Sequence, residues 1–159
     1  MNALTLMMIA LYALGTPQQG KNLYDPQADA MAALNQAVAE AQAQDKHVLV
    51  QVGGNWCPWC IKLHEFMEAN AEIKACLAES YVLVKVNYSK ENKNAEVLSR
   101  LGNPQRFGFP VLVVLNAKGE RIHTQDTGLL ESGDGYDAKK VLSVLKGWSK
   151  AGCEQTSRR

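Results

Sequence analysis

A chain of 159 residues, 47% hydrophobic and 21% charged, can close one compact domain around a sizeable core and is short for two. A formal net charge of +1, with no basic run interleaved with aromatics, gives no field for nucleic acid or an anionic surface. Four cysteines do not make a disulfide scaffold at this length, so any chemistry they carry depends on where they sit.

The first segment, Met1–Gly15 ("MNALTLMMIALYALG"), has no charged side chain, and its apolar run Leu4–Leu14 is about half of what a bilayer span needs. Ala13 and Gly15 supply the small residues of a signal-peptidase site, which predicts a signal peptide cut before Thr16 and a periplasmic or secreted protein. The n-region lacks Lys and Arg, and the competing reading is a buried N-terminal element of a cytosolic protein. No cysteine follows the apolar run as a lipid anchor would require, and no later segment is apolar for long enough to span a bilayer, so no stable membrane insertion is expected.

Residues 16–27 read as a linker, 28–150 as the folded domain and 151–159 as a polar C-terminal tail. Asp29 introduces a helix to about Gln44, with Met31, Leu34, Val38 and Ala41 as its apolar stripe. "KHVLVQV" is then a strand, largely apolar as an interior strand of a covered sheet should be. A Gly53-Gly54-Asn55 turn leads into "WCPWC", and Ile61, Leu63, Phe66 and Met67 mark a helix from Pro58 to about Glu68. Asn70 is placed to cap a further turn, "AEIKACLAES". Tyr81–Tyr88 is a second strand, "NAEVLSRLG" a short helix stopped by Gly102, and Phe109–Leu115 a third strand. "NAKG" is a tight hairpin turn with "ERIHT" as the return strand. Gly128 to Gly135 is polar and glycine-punctuated, and Tyr136–Trp148 closes the domain as a helix with Val141, Leu142, Leu145 and Trp148 inward. This order gives an α/β fold, a central mixed β-sheet flanked by helices on both faces.

Cys57 and Cys60 are the chemically suggestive residues. A cysteine nucleophile acts as thiolate and needs a device that lowers its pKa. Cys57 falls where a strand gives way to a helix, so free backbone N–H groups and the positive helix end face its sulfur. Pro58 suits the first helical position, where its missing N–H costs nothing. Two intervening residues return Cys60 to the same end of the turn, within bridging reach and tucked behind an exposed Cys57. One thiol to attack and another to resolve is what disulfide exchange requires. The competing uses fit less well. A zinc knuckle would need two further ligands; His64 follows by four residues, but Cys76, Cys153, His47 and His123 stand alone, so no metal is expected. Haem attachment would need histidine where Ile61 stands. Gly53-Gly54 lacks the Lys-Ser/Thr of a phosphate loop, and "NYSKENKN" lacks clustered acids and reads as a solvated turn capping the next helix, so no cofactor is expected either. A purely structural bridge remains an open alternative.

The strand "HVLVQV", then "WCPWC", then a helix, and about fifty residues later "FGFPVLVVL" with its hairpin together resemble the thioredoxin superfamily, more narrowly its exported bacterial members. The resemblance covers about residues 28–150 and implies a thioredoxin-like fold. It implies a thiol–disulfide oxidoreductase, more of the reductase type, with Cys57 attacking, Cys60 resolving, and partners among protein or peptide thiols and disulfides plus an unidentified redox protein. It also implies that Pro110 is a cis proline facing the pair, leaving the backbone at Phe109 open to an extended substrate. Trp56, Pro58 and Trp59 then join Phe109 and Pro110 as the substrate surface. Two departures from the family pattern stand out. Gln51 occupies the strand position, six residues before Cys57, where a buried aspartate usually serves the resolving thiol, leaving tuning to water or Lys62. "PW" replaces the usual "GP" between the cysteines. The alternative function is a peptide-binding or chaperone-like module whose Cys57–Cys60 bridge is structural. Cys76 reads as a buried free thiol; Cys153, the oligomeric state and the direction of electron flow are left open.

Overall fold

The computed structural model describes residues 22–157; the expected leader Met1–Gly15 and its cut before Thr16 lie outside the described residues. Among the described residues six α-helices and six strands follow in the order α1 (Ala30–Gln44), β1 (His47–Gly53), α2 (Pro58–Ala69), α3 (Ala71–Ser80), β2 (Tyr81–Asn87), α4 (Ala95–Arg100), β3 (Val111–Leu115), β4 (Arg121–Asp126), β5 (Glu131–Ser132), β6 (Gly135–Tyr136), α5 (Ala138–Gly147) and α6 (Lys150–Thr156). The main sheet runs β2-β1-β3-β4. β1 pairs parallel with β2, setting Gly53 opposite Asn87, and antiparallel with β3, setting Val52 opposite Val111. β3 and β4 form the expected hairpin, its turn completed by Gly119 at φ +79°.

All seven residues of β1 are buried, as a strand between two neighbours and under two helical layers must be. Its side chains alternate between two cores. Val48, Val50 and Val52 join Val111, Val113 and Leu115 under Leu34, Ala37 and Ala41 of α1 and Val97 and Leu98 of α4. Leu49 joins Leu112 and Val114 on the other face with Leu63 and Met67 of α2, Ile73 and Leu77 of α3, and Val141 and Leu145 of α5. Of the stripe expected on α1, Leu34 and Ala41 are buried, but Met31 and Val38 are only partly so; small Ala30 and Ala37 let the helix lie close to the sheet.

Caps fix the helix starts. The Asp29 carboxylate accepts the N–H of Ala32 at 2.9 Å, the Asn70 amide oxygen accepts that of Ile73 at 3.0 Å, and Asp137 accepts that of Lys140 at 3.0 Å, each worth about 1 kcal/mol. Three expected segments differ. The residues taken as a linker carry Tyr24, which is 1% exposed. The tail instead forms α6, capped by Ser149 and tied back by an ion pair from Lys150 to Asp45. Gly128–Gly135 holds a short hairpin, β5–β6, so α5 begins at Ala138 and Tyr136 belongs to a strand. Among the described residues, no helix is long and apolar enough to cross a membrane.

Candidate active site

The site forms where β1 ends and α2 begins. Gly53 and Gly54 carry the chain out of the sheet, and Cys57, in extended conformation, is the N-cap of α2 with Pro58 at its first turn. The Cys57 sulfur accepts the Cys60 N–H at 3.2 Å, so one free donor of the helix end is directed at that sulfur. Cys57 and Cys60 are joined in a disulfide with their Cα atoms 5.2 Å apart. The expected asymmetry of access is smaller than the sequence suggested: Cys57 is 4% exposed and Cys60 fully buried. Tyr24 shares their cluster, and Leu23, Trp59 and Phe109 pack against it.

Trp56 is the exposed member of the site, at 56%, held by its indole N–H, which donates to the Tyr88 carbonyl at 2.7 Å. It meets Phe109 edge to face at 5.6 Å, and Phe109 stacks on Tyr88 at 4.6 Å, so three aromatic rings form one ledge beside the disulfide. The peptide bond between Phe109 and Pro110 is cis, and Thr127 donates its hydroxyl to the Pro110 carbonyl. An open groove of about 550 Å³ runs from Trp56 and Tyr88 along Ser89, Lys90, Glu91 and Lys93. The Asn87–Asn94 stretch behind it is no simple solvated cap. Asn87 donates to Ser89 and to the Asn92 carbonyl, Asn94 donates to the Asn87 carbonyl, and Asn92 donates to Pro26, binding the loop to the N-terminal segment.

Trp59, expected as part of the substrate surface, also packs inward. It is half-buried, edge-on to Tyr136 at 5.5 Å, and the Tyr136 hydroxyl donates to its carbonyl at 3.3 Å. Lys62 lies over the Trp59 ring at 4.5 Å and donates to the Asp134 carbonyl at 2.5 Å, so its ammonium is committed to the β5–β6 turn. Gln51 is buried behind the pair, its amide donating to the Cys60 carbonyl at 3.4 Å. It also lines a cavity of about 30 Å³ with His64, Glu68 and Lys85. His64 is thus half-buried against charged neighbours. Among the described residues, no group of three or more His, Cys, Asp or Glu side chains could hold a metal ion. His47 is taken up by the Trp148 carbonyl at 2.8 Å, and His123 stacks on the Trp148 ring. Cys76 and Cys153 are free thiols, the former buried and the latter partly exposed on α6.

Burial holds the His64 imidazole below its ordinary range, the Lys85 ammonium adds to this, and Glu68 and Glu65 counter part of it. A histidine with a lowered folded pKa binds fewer protons in the native state than in the unfolded chain. Stability should therefore decline as pH falls below about 6.5. Urea midpoints at pH 7.5 and 5.0 check this: His64→Gln is expected to flatten the decline, and parallel midpoints in variant and parent would contradict it.

Tyr24, Asn55, Tyr88 and Tyr136 are site residues that sequence reasoning missed. Tyr88 had a usable signal, because two parallel neighbouring strands end at the same edge and the residues after each must meet. Tyr24 had none; nothing in "NLYDPQ" says that it returns to the cysteines.

Residues 29–117 match a family model described as thioredoxin-like. A disulfide bond reductase, DsbH, of Chlamydia pneumoniae is 28% identical over 138 residues, covering 80% of this chain and 82% of that protein. A thiol:disulfide interchange protein, DsbD, of Klebsiella pneumoniae is 26% identical over 140 residues, and this chain spans 22% of its length. The crystal structure of a disulphide isomerase from Xylella fastidiosa Temecula1 superposes with a TM-score of 0.69 at 27% identity, over 77% of this chain and 93% of that one. The cysteine pair at the helix tip has the geometry of thiol–disulfide exchange.

Proposed function

The chain belongs to the thioredoxin-like family and is a thiol–disulfide oxidoreductase whose Cys57-Pro58-Trp59-Cys60 segment is the redox motif; from that premise we propose that it is an exported reductase of protein disulfides. The observation that carries the proposal is the Cys57–Cys60 pair at the N-terminus of α2, beside the aromatic ledge of Trp56, Phe109 and Tyr88. The similarity to a protein named as a disulfide bond reductase, matched over most of both chains, supports the direction. The charge-free apolar segment Leu4–Leu14 supports export.

In the reduced protein, the Cys57 thiolate attacks one sulfur of the substrate disulfide. A mixed disulfide forms and one substrate sulfur leaves as thiolate. The helix N-terminus favours Cys57 as an anion. The Cys60 thiolate then attacks the Cys57 sulfur, closing the internal bridge and releasing the second substrate sulfur. Two electrons have passed to the substrate, and a partner dithiol restores the pair. Trp56 and Phe109 provide the apolar contact for an extended substrate, whose backbone runs alongside Phe109 and Pro110, with Pro58 and Trp59 flanking the sulfurs. No step requires a metal or an organic cofactor.

The redox equilibrium with dithiothreitol tests the direction. A potential near thioredoxin's, about −270 mV, is expected, and one near −120 mV would identify an oxidant instead.

A further inference from the structure

The Tyr24 hydroxyl is buried and makes no hydrogen bond of good geometry in the disulfide form, with the Gln51 side chain close enough to bear on it. Such a group is rare in a folded protein and calls for a cause. Its position is closely specified. The Tyr24 N–H donates to the Asn55 side-chain oxygen at 3.0 Å and the Asn55 amide donates back to the Tyr24 carbonyl at 2.7 Å, so the turn before Cys57 clamps this residue from both sides. The ring enters the cysteine cluster beneath Gly53, where a Cβ would lie 2.5 Å from the Cys60 sulfur and 2.8 Å from the Tyr24 oxygen. The two atoms thus border one point that the absent side chain leaves open. The Gln51 amide donates to the Cys60 carbonyl at 3.4 Å, and it has no acidic group to serve the sulfur.

We infer that Tyr24 is the hydrogen-bond donor to the Cys60 sulfur in the reduced protein, serving the resolving thiol at a site where the strand offers only Gln51. A disulfide sulfur is a poor acceptor, which leaves the hydroxyl unpaired while the bridge is closed. Opening the bridge changes the acceptor. A dithiol reductant supplies two electrons, the Cys57–Cys60 bond breaks, the reductant departs as its own disulfide, and Cys60 becomes a thiol or thiolate able to accept from the phenol. Burial holds the phenol well above its ordinary pKa, so it donates a hydrogen bond without surrendering its proton. The inference rests on exchange at this cysteine pair but not on its direction.

Because the hydroxyl is paired only in the reduced form, it favours reduction. Tyr24→Phe should therefore make the bridge about tenfold harder to reduce in a dithiothreitol equilibrium, a fall of about 30 mV in potential. It should also raise the pH at which the Cys60 thiolate forms, displacing the pH profile of the resolving step upward. A merely structural ring would leave both readouts unchanged, so a reduction equilibrium within twofold of the parent together with an unmoved pH profile would overturn the assignment. The unaltered protein gives a second reading that does not depend on the variant folding. On reduction, the 13Cζ resonance of Tyr24 should move as its hydroxyl gains an acceptor, and an unmoved resonance would also overturn it. A parent protein that fails to cycle with dithiothreitol at all would instead remove the exchange reading on which the assignment stands.

Discussion

Cys57→Ser is expected to abolish turnover of a protein disulfide, a loss on the order of a thousandfold or more, because a serine hydroxyl is a far weaker nucleophile than the thiolate it replaces. Cys60→Ser should fail differently. Cys57 still attacks, but nothing resolves the product, so the chain should accumulate as a mixed disulfide with its substrate. Non-reducing electrophoresis and mass spectrometry separate the two outcomes. The chemistry requires the adduct to sit on Cys57 alone. Turnover that survives Cys57→Ser, or an adduct of Cys60→Ser located on Cys76 or Cys153, would be incompatible with Cys57 as the attacking group. Both spare thiols are poor candidates, since burial pushes each above the ordinary cysteine range. The same pair of variants tests the chaperone-like alternative, in which neither substitution would trap a partner.

Gly53→Ala should cost about 1–3 kcal/mol in the oxidised protein, the usual range for overpacking a filled interior. The backbone there does not require glycine; the cost is steric. A methyl group would stand 2.5 Å from the Cys60 sulfur and 2.8 Å from the Tyr24 oxygen, and neither is the free end of a flexible side chain. The sulfur is held by its bond to Cys57, and the tyrosine is clamped by Asn55. Reduction frees the sulfur to turn away, so the penalty should shrink when urea unfolding is repeated with dithiothreitol. Equal losses in both redox states would mean that the methyl group is absorbed elsewhere.

The gap in the site's acid–base equipment follows from a particular residue. Gln51 stands on β1 between Lys85 of β2 and Leu112 of β3 and is nearly sealed from solvent. An amide there can hold the Cys60 carbonyl but cannot take a proton, so whatever assists the resolving thiol comes from off the strand. Tyr24 on the N-terminal segment reaches the sulfur side of the pair, while His64 and Glu68 on α2 share the small cavity with Gln51 and Lys85. Tyr24 thus approaches Cys60 from the N-terminal segment, while the charged groups beside Gln51 come from α2 and β2.

Local signals made much of this fold legible. Periodicity gave α1 and α2, largely apolar runs gave β1 and β3, Asn70 gave the break between α2 and α3, and Gly119 gave the hairpin. The elements that escaped were those stabilised from a distance. α6 follows a Ser149 cap and is tied to the far end of α1 through Asp45, and β5–β6 is a two-residue ladder with little pattern to display. The surroundings of Trp59 were hidden for the same reason. Its neighbour Tyr136 lies 77 residues along the chain, and their edge-to-face contact half-buries the ring.

The sequence by itself determined the reactive pair, the helix tip on which it sits and the absence of an acid at residue 51, because all three are matters of residue type at short, fixed spacing. Only the tertiary structure decided what surrounds the sulfurs. It covers Cys57 nearly as fully as Cys60, assembles Trp56, Phe109 and Tyr88 into one ledge, and directs Tyr24 into the space that Gly53 leaves empty. The physical reason is that parallel pairing of β1 with β2 and the return of β3 beside them bring three distant strand ends to one edge of the sheet. A pattern confined to neighbours along the chain carries no trace of that convergence.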